Sequence, residues 1–215
     1  MPAMHADFDP HPQLAALLLP AVTGGDDGAH DLSHLQRVWK NARAIHACEG
    51  GDTELLLAAT LLHDCVAVEK NSPLRAQASR LSAAKASEIL RGLGWDDARI
   101  GQVAHVIEAH SFTAAIAPRT LEARILQDAD RLDAIGMLGV ARCFYVAGRM
   151  GSQLYHPADP QAQARPLDDA HYALDHFPKK LLMLADNFQT PEGARLAGLR
   201  HASMLAFLDA FAQEI

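Results

Sequence analysis

The sequence predicts an all-α fold, and three observations carry that reading. Apolar residues recur at three- and four-residue spacing along most of the chain, and the segments that show this spacing are bounded by capping residues, Gly and Pro. No stretch has the two-residue alternation of a half-buried strand. A chain of 215 residues can bury a continuous core, so the reading is one domain over 1–215. Within it, 1–29 forms a leading helix and loop, and 151–215 a loop followed by C-terminal helices packed on the core.

The elements follow in order. Residues 8–19 form a short leading helix ended by Pro20, and 23–28 is a Gly/Asp-rich loop. Asp31 or Ser33 caps a helix whose stripe of Leu35, Val38, Trp39, Ala42 and Ile45 runs to Cys48 and stops at Gly50-Gly51. Asp52 caps the next, which is apolar on nearly every side from Leu55 to Leu62 and is therefore central to the core. Residues 66–80, broken by Asn71-Ser72-Pro73, read as loop or short helix. Helices are then expected over 81–93, from Asp96 to near His110, from after Pro118 to Ile135, and over 138–150. Three prolines make 151–166 a long loop, a class in which lids and binding loops are common. Two last helices cover 175–185 and 192–211, with Thr190 as cap and Pro191 in the first turn.

Composition removes several classes of function. Hydrophobic residues at 49% and charged residues at 21% are ordinary for a globular protein. The apolar runs are broken short of membrane-spanning length and the N-terminus lacks signal-peptide regions, so the expected setting is cytoplasmic, away from the membrane. Three widely spaced cysteines without a C-x-x-C suggest reduced thiols in the core. A net charge of -7 disfavours a nucleic-acid polymer as partner, while leaving a small phosphorylated ligand open. The oligomeric state is not readable.

Chemistry intrudes at three places. Leu61-Leu62-His63-Asp64-Cys65 ends an apolar run with an imidazole and a carboxylate side by side. His30-Asp31-x-x-His34 lies upstream and Asp128-Ala129-Asp130-Arg131-Leu132-Asp133 downstream, each inside an apolar helical pattern. Burying a lone charge costs several kcal/mol unless it is paired or binds a metal, so three such intrusions ask for a common ligand. A divalent cation supplies one, and a mixture of imidazole and carboxylate donors points to a transition metal. Adjacent residues do not share a helix face, so His63 and Asp64 reach one ion only from a helix end.

The ordered set His34, His63-Asp64, Asp130 resembles the H…HD…D signature of HD-domain metal-dependent phosphohydrolases. The flanking stretches His30-Asp31-x-x-His34-x-x-Arg37-Val38, Ala109-His110-Ser111-Phe112 and 127–136 resemble a small bacterial subgroup that includes manganese-dependent nucleotide pyrophosphohydrolases. The likeness continues through Arg165-Pro166-Leu167-Asp168-Asp169 and 172–177, and so covers most of the chain from His30 onward. It implies a helical HD-domain bundle with additional C-terminal helices. It also implies His34, His63, Asp64 and Asp130 as ligands of one divalent transition metal, Mn first, with Fe, Co, Ni, Zn or Mg as alternatives. Relatives acting on guanosine alarmones carry a Glu-Asp pair where this chain has Ala67-Val68, and the HD-GYP signature is absent.

The expected reaction is attack of water on a phosphoanhydride of a nucleoside or deoxynucleoside triphosphate, giving monophosphate and pyrophosphate. Asp64 is expected to orient the water, and Arg37 and Lys70 to meet the phosphates as catalytic groups. Lys70, Arg75, His110 and Asp133 are the candidates for substrate contact. Each has a plainer alternative. Lys70 and Arg75 read equally as solvated surface charges, Arg37 as the partner of a buried carboxylate, and Asp133 as an anchor for Arg131. His30 reads as a structural or supporting group. His110 and His105 read as core or supporting histidines, or as ligands of a second metal. Competing functions are a phosphomonoesterase or phosphodiesterase on another small metabolite, and a weakly catalytic nucleotide-binding regulatory module.

Overall fold

The structure, a computed structural model, describes residues 6–22, 32–68, 72, 74–111 and 114–215. It is all-α: among the described residues there is no strand, only an isolated bridge between Gln153 and Tyr172. The helices are α1 (Pro12–Leu18), α2 (Leu32–Glu49), α3 (Thr53–Leu62), α4 (Ala78–Gly92), α5 (Asp97–His110), α6 (Leu121–Asp133), α7 (Gly136–Met150) and α8 (Pro191–Ala212). The chain divides into two compact units, 1–130 and 131–215.

In the first unit α3 is the central element. Every residue from Leu55 to Leu62 is buried, as its all-round apolar sequence demands, and α1, α2, α4 and α5 pack against it. Asp52 caps it, its carboxylate accepting from the amides of Glu54 and Leu55 at 3.0 Å. The preceding turn is built on Gly50 and Gly51, whose φ of +82° and +109° suits residues without a Cβ. Val38, Ala42 and Ile45 of α2, Val103, Val106 and Ile107 of α5, and Ile125, Leu126 and Ala129 of α6 complete the core.

In the second unit α7 packs on α8 around Phe144, Phe177, Phe207 and Phe211, with neighbouring ring centroids 5.5–6.0 Å apart. Arg165 grips Asp175 with two hydrogen bonds, of 2.5 and 2.8 Å, and lies over the ring of Tyr172.

The elements depart from expectation at their ends. The leading α-helix starts at Pro12, with a short 3-10 turn at Ala6–Phe8 before it. Ser33 lies inside α2 rather than capping it, and Asp31 falls outside the described residues. A 3-10 turn at Arg75–Gln77 leads α4 in three residues early. The segment expected as a helix over 175–185 is helical but irregular: a π turn at Phe177–Leu181 followed by a 3-10 turn at Leu182–Ala185. Pro178 has no amide hydrogen to give to a regular ladder. Thr190 caps α8, accepting from Gly193.

Candidate metal centre

Helix α3 ends by delivering His63. Its Nδ1 donates to the Thr60 carbonyl at 2.7 Å, a backward bond that fixes the ring and leaves Nε2 with the lone pair. Helix α2 brings His34 alongside, with the two Nε2 atoms 3.4 Å apart. Helix α6 brings Asp130, whose Oδ1 lies 3.6 Å from His34 Nε2 and 3.9 Å from His63 Nε2. Asp64 follows in the turn beyond α3, its Oδ2 3.6 Å from His63 Nε2. Because the helix ends at this point, the adjacent His and Asp both reach one place.

Burial divides the set. His34 and His63 are 3% and 0% exposed, whereas the side chains of Asp64 and Asp130 are 40% and 32% exposed, so the cluster opens to solvent on its carboxylate side. Burial pushes the His63 pKa below its usual value, and the nearby Asp64 only partly opposes this. A neutral imidazole is the form that ligates metals.

The donor set fits a cation. With metal–ligand distances of about 2.1 Å, neighbouring ligand atoms lie roughly 3.0 Å apart around an octahedral ion and roughly 3.4 Å around a tetrahedral one. The donor separations of 3.4–3.9 Å sit just above that range and are too long for strong mutual hydrogen bonds. His34, His63 and Asp130 form one group able to hold a metal ion, and His63, Asp64 and His110 form another.

His110, the last residue of α5, repeats the device used by His63. Its Nδ1 donates to the Ile107 carbonyl at 2.6 Å, and its Nε2 faces Asp64 Oδ1 at 3.7 Å. His105 takes no part: its Nε2 accepts from the Arg119 amide at 3.1 Å. Arg37 is half-buried on α2 and donates to Ser33 Oγ at 2.7 Å. Arg75 is exposed and donates to the Val68 carbonyl at 3.0 Å. Asp133, buried in the second unit, lies 3.6 Å from the Arg142 guanidinium. Lys70, like His30, lies outside the described residues.

Supporting residues went unmarked in the sequence. Asn41 donates to the Ala129 carbonyl at 3.0 Å and Gln127 to the Ala109 carbonyl at 2.8 Å, tying α6 to α2 and to the end of α5. Their signal was a polar residue on an apolar stripe. Beyond Asp64, Cys65 donates to the Ser82 carbonyl and Val66 to Ser82 Oγ, which anchors the turn on α4. Burial pushes the Cys65 thiol up to about 11, so no thiolate nucleophile stands at the centre.

The model of the HD domain matches residues 31–135, which contain all four residues of the cluster. YpgQ of Bacillus subtilis, an uncharacterised protein, is 33% identical over 199 residues, covering 91% of this chain and 89% of its own. The chain belongs to the HD-domain phosphohydrolase superfamily. Solved structures are similar over nearly the whole chain. YpgQ in complex with ADP is 31% identical with a TM-score of 0.71, covering 99% of this chain and 96% of that one. An HD-superfamily hydrolase from Bacillus thuringiensis is 30% identical with a TM-score of 0.69, covering 98% and 95%. The family makes the chain a metal-dependent phosphohydrolase. No helix among the described residues is long and apolar enough to cross a membrane.

Proposed function

We propose that this HD-domain protein hydrolyses a phosphoanhydride of a nucleoside or deoxynucleoside triphosphate in the cytoplasm, releasing monophosphate and pyrophosphate. The observation that carries the reading is the convergence of His34, His63 and Asp130, with Asp64 joined through His63, at one half-open place. The binding of ADP by the similar YpgQ supports a nucleotide as the ligand class.

In this reading His34, His63, Asp64 and Asp130 hold one divalent transition metal, with manganese preferred. When bound, such an ion acidifies water and polarises a phosphoryl oxygen. The chain's own groups do the rest. Asp64, the most exposed of the four, orients the attacking water and accepts its hydrogen bond. The neutral, carbonyl-anchored His63 and the buried His34 keep the donor set fixed, so that little reorganisation accompanies reaction. His110, facing Asp64 from the end of α5, is assigned to the substrate, as are Arg75 and Lys70 in the segment after the His-Asp step. Arg37, one turn beyond His34 on α2, is assigned to a phosphate oxygen.

The test is product analysis by chromatography after incubating manganese-loaded protein with a panel of ribo- and deoxyribonucleotides, beside Asp64→Ala. Monophosphate plus pyrophosphate, lost in the variant, is the expected result. Orthophosphate would instead identify a phosphomonoesterase. No turnover of any nucleotide by protein with metal bound would overturn the nucleotide assignment.

A further inference from the structure

In the second unit α8 buries one side and leaves the other without cover. Gly193, Ala197 and Met204 are buried on the inner side, where Phe207 and Phe211 meet Phe144 of α7. The outer side runs from Ala194 to Ala210 and is centred on the exposed Ala202. A surface helix ordinarily keeps its charged residues on the side facing water. Here the exposed charges over that length are Arg195 and Asp209 alone, while Leu199 and Leu205 stand 58% and 42% exposed.

The outer residues are arranged symmetrically about Ala202. Three positions to either side are Leu199 and Leu205, and four to either side are Gly198 and Ala206. Seven to either side are Arg195 and Asp209, and eight to either side are Ala194 and Ala210. At 100° per residue all of them fall within about 80° of Ala202 around the helix. A two-fold axis at Ala202 therefore sets a second, antiparallel copy of the helix against the first with leucine facing leucine, small residue facing small residue, and cation facing anion. A parallel pairing in register would set Arg195 against the same cation and Asp209 against the same anion.

The helix's own packing does not account for this pattern. Glycine weakens a helix interior, yet a Cβ added at Gly198 would meet nothing within 4 Å, so no neighbour in the chain requires a glycine there. Together with Ala202 and Ala206 it makes a row at four-residue spacing that lets a second helix axis approach to about 8 Å. Arg195 and Asp209 are about 21 Å apart along the axis and cannot meet within one chain. Arg195 is steadied by Glu192, which accepts from its Nε and Nη2 at 2.7 Å, and remains 59% exposed. Among the described residues no cation lies within ion-pair distance of Asp209. Each of the two stands about one turn from an end of α8, where the dipole of its own helix opposes it and that of an antiparallel neighbour favours it.

We propose that α8 is a dimerisation helix. Two copies of this chain associate about a two-fold axis at Ala202, their α8 helices antiparallel, and Arg195 of each pairs with the partner's Asp209. The assignment does not depend on which phosphoester the metal centre cleaves.

The experiment is sedimentation velocity of the full chain from about 1 to about 100 µM, with circular dichroism on every variant. Monomer and dimer in equilibrium are expected over that range, because one helix pair buries less than the roughly 800 Å² per partner of a standard interface. Ala202→Glu places two like charges at the axis and is expected to weaken the dimer about tenfold or more with unchanged circular dichroism. Asp209→Lys and Arg195→Glu are each expected to weaken it too, since each brings like charges together at both ends of the pair. An equimolar mixture of those two variants is expected to recover the dimer, because in the mixed pair every cation again faces an anion. A monomer at every concentration would overturn the proposal in favour of a different protein partner for this face. An Ala202→Glu variant that dimerises like the parent would overturn it as well. A mixture that associates no better than its components would overturn the antiparallel pairing.

Discussion

The carboxamide of Asn41 donates to the carbonyl of Ala129 at 3.0 Å, joining α2 to α6 one residue before Asp130. Asn41 lies two helical turns after His34 on the same side of α2, so this bond sets how far apart His34 and Asp130 stand. Asn41→Leu keeps the volume and loses the donor. The expected stability loss is about 1 kcal/mol, the net worth of one buried hydrogen bond. The expected loss of divalent-metal affinity is larger, about tenfold, because groups behind the ligands tune metal sites to that extent. Metal titration beside a urea denaturation curve separates the two effects. Unchanged metal affinity would reduce Asn41 to a core packing residue.

Helix α3 must end in register for His63 and Asp64 to face one point, and its start is fixed by Asp52. The Asp52 carboxylate caps the helix and also meets Arg99 at 3.1 Å, while its amide donates to Glu122 Oε1 at 2.9 Å. Asp52→Ala should cost about 1 kcal/mol, read as a lower urea midpoint at constant slope. Asp52→Asn, which keeps a capping oxygen, should recover most of it. Equal losses in the two variants would assign the effect to the Arg99 ion pair instead.

Much of this architecture was legible because it depends on local pattern. Asp52 and Thr190 precede apolar-periodic runs, and both cap helices in the structure. The unbroken apolar run 55–62 could only be a central helix, and the chemistry at its end had to point into the bundle. The irregular turns at Phe177–Leu181 and Leu182–Ala185 were not legible, since Phe177 and Leu181 show the same spacing in a π turn as in an α-helix. The site divides in the same way. His34, His63 and Asp130 stand out as ionisable groups in apolar surroundings, but the bonds of His63 to Thr60 and of His110 to Ile107 involve backbone carbonyls, which any residue supplies. The approach of Arg142 to Asp133 was not legible, because nine residues and a helix boundary separate the two in sequence.

Thiol chemistry gives an independent check on the core. Burial pushes both Cys65 and Cys143 up to about 11, whereas Cys48 is exposed. At pH 8 each of these two half-buried thiols is thiolate in about one molecule per thousand, so the native protein should show one fast thiol towards an aromatic disulfide reagent. The other two should appear only with unfolding. A second fast thiol would mean that the turn after Asp64, or the face of α7 around Cys143, opens in solution.

In the second unit a buried carboxylate is held by an ion pair. Asp175 is 1% exposed and is held by Arg165 and by the Asp168 amide, with the Arg165 bonds foremost in drawing its pKa below the usual 3.8. A carboxyl depressed in this way stabilises the fold fully above its unfolded pKa, and the contribution fades as pH falls through the folded value. Arg165→Met leaves Asp175 buried with its charge unopposed, so the variant should melt well below the parent at pH 7. Protonation removes that unopposed charge, so the gap in melting temperature should narrow below pH 3.8. Arg165→Met/Asp175→Leu should recover most of the loss at pH 7, since an apolar pair of similar volume avoids the cost of desolvating either ion. A double variant as unstable as the single one would show that the Asp168 amide bond to Asp175, rather than the ion pair, fixes this corner of the fold.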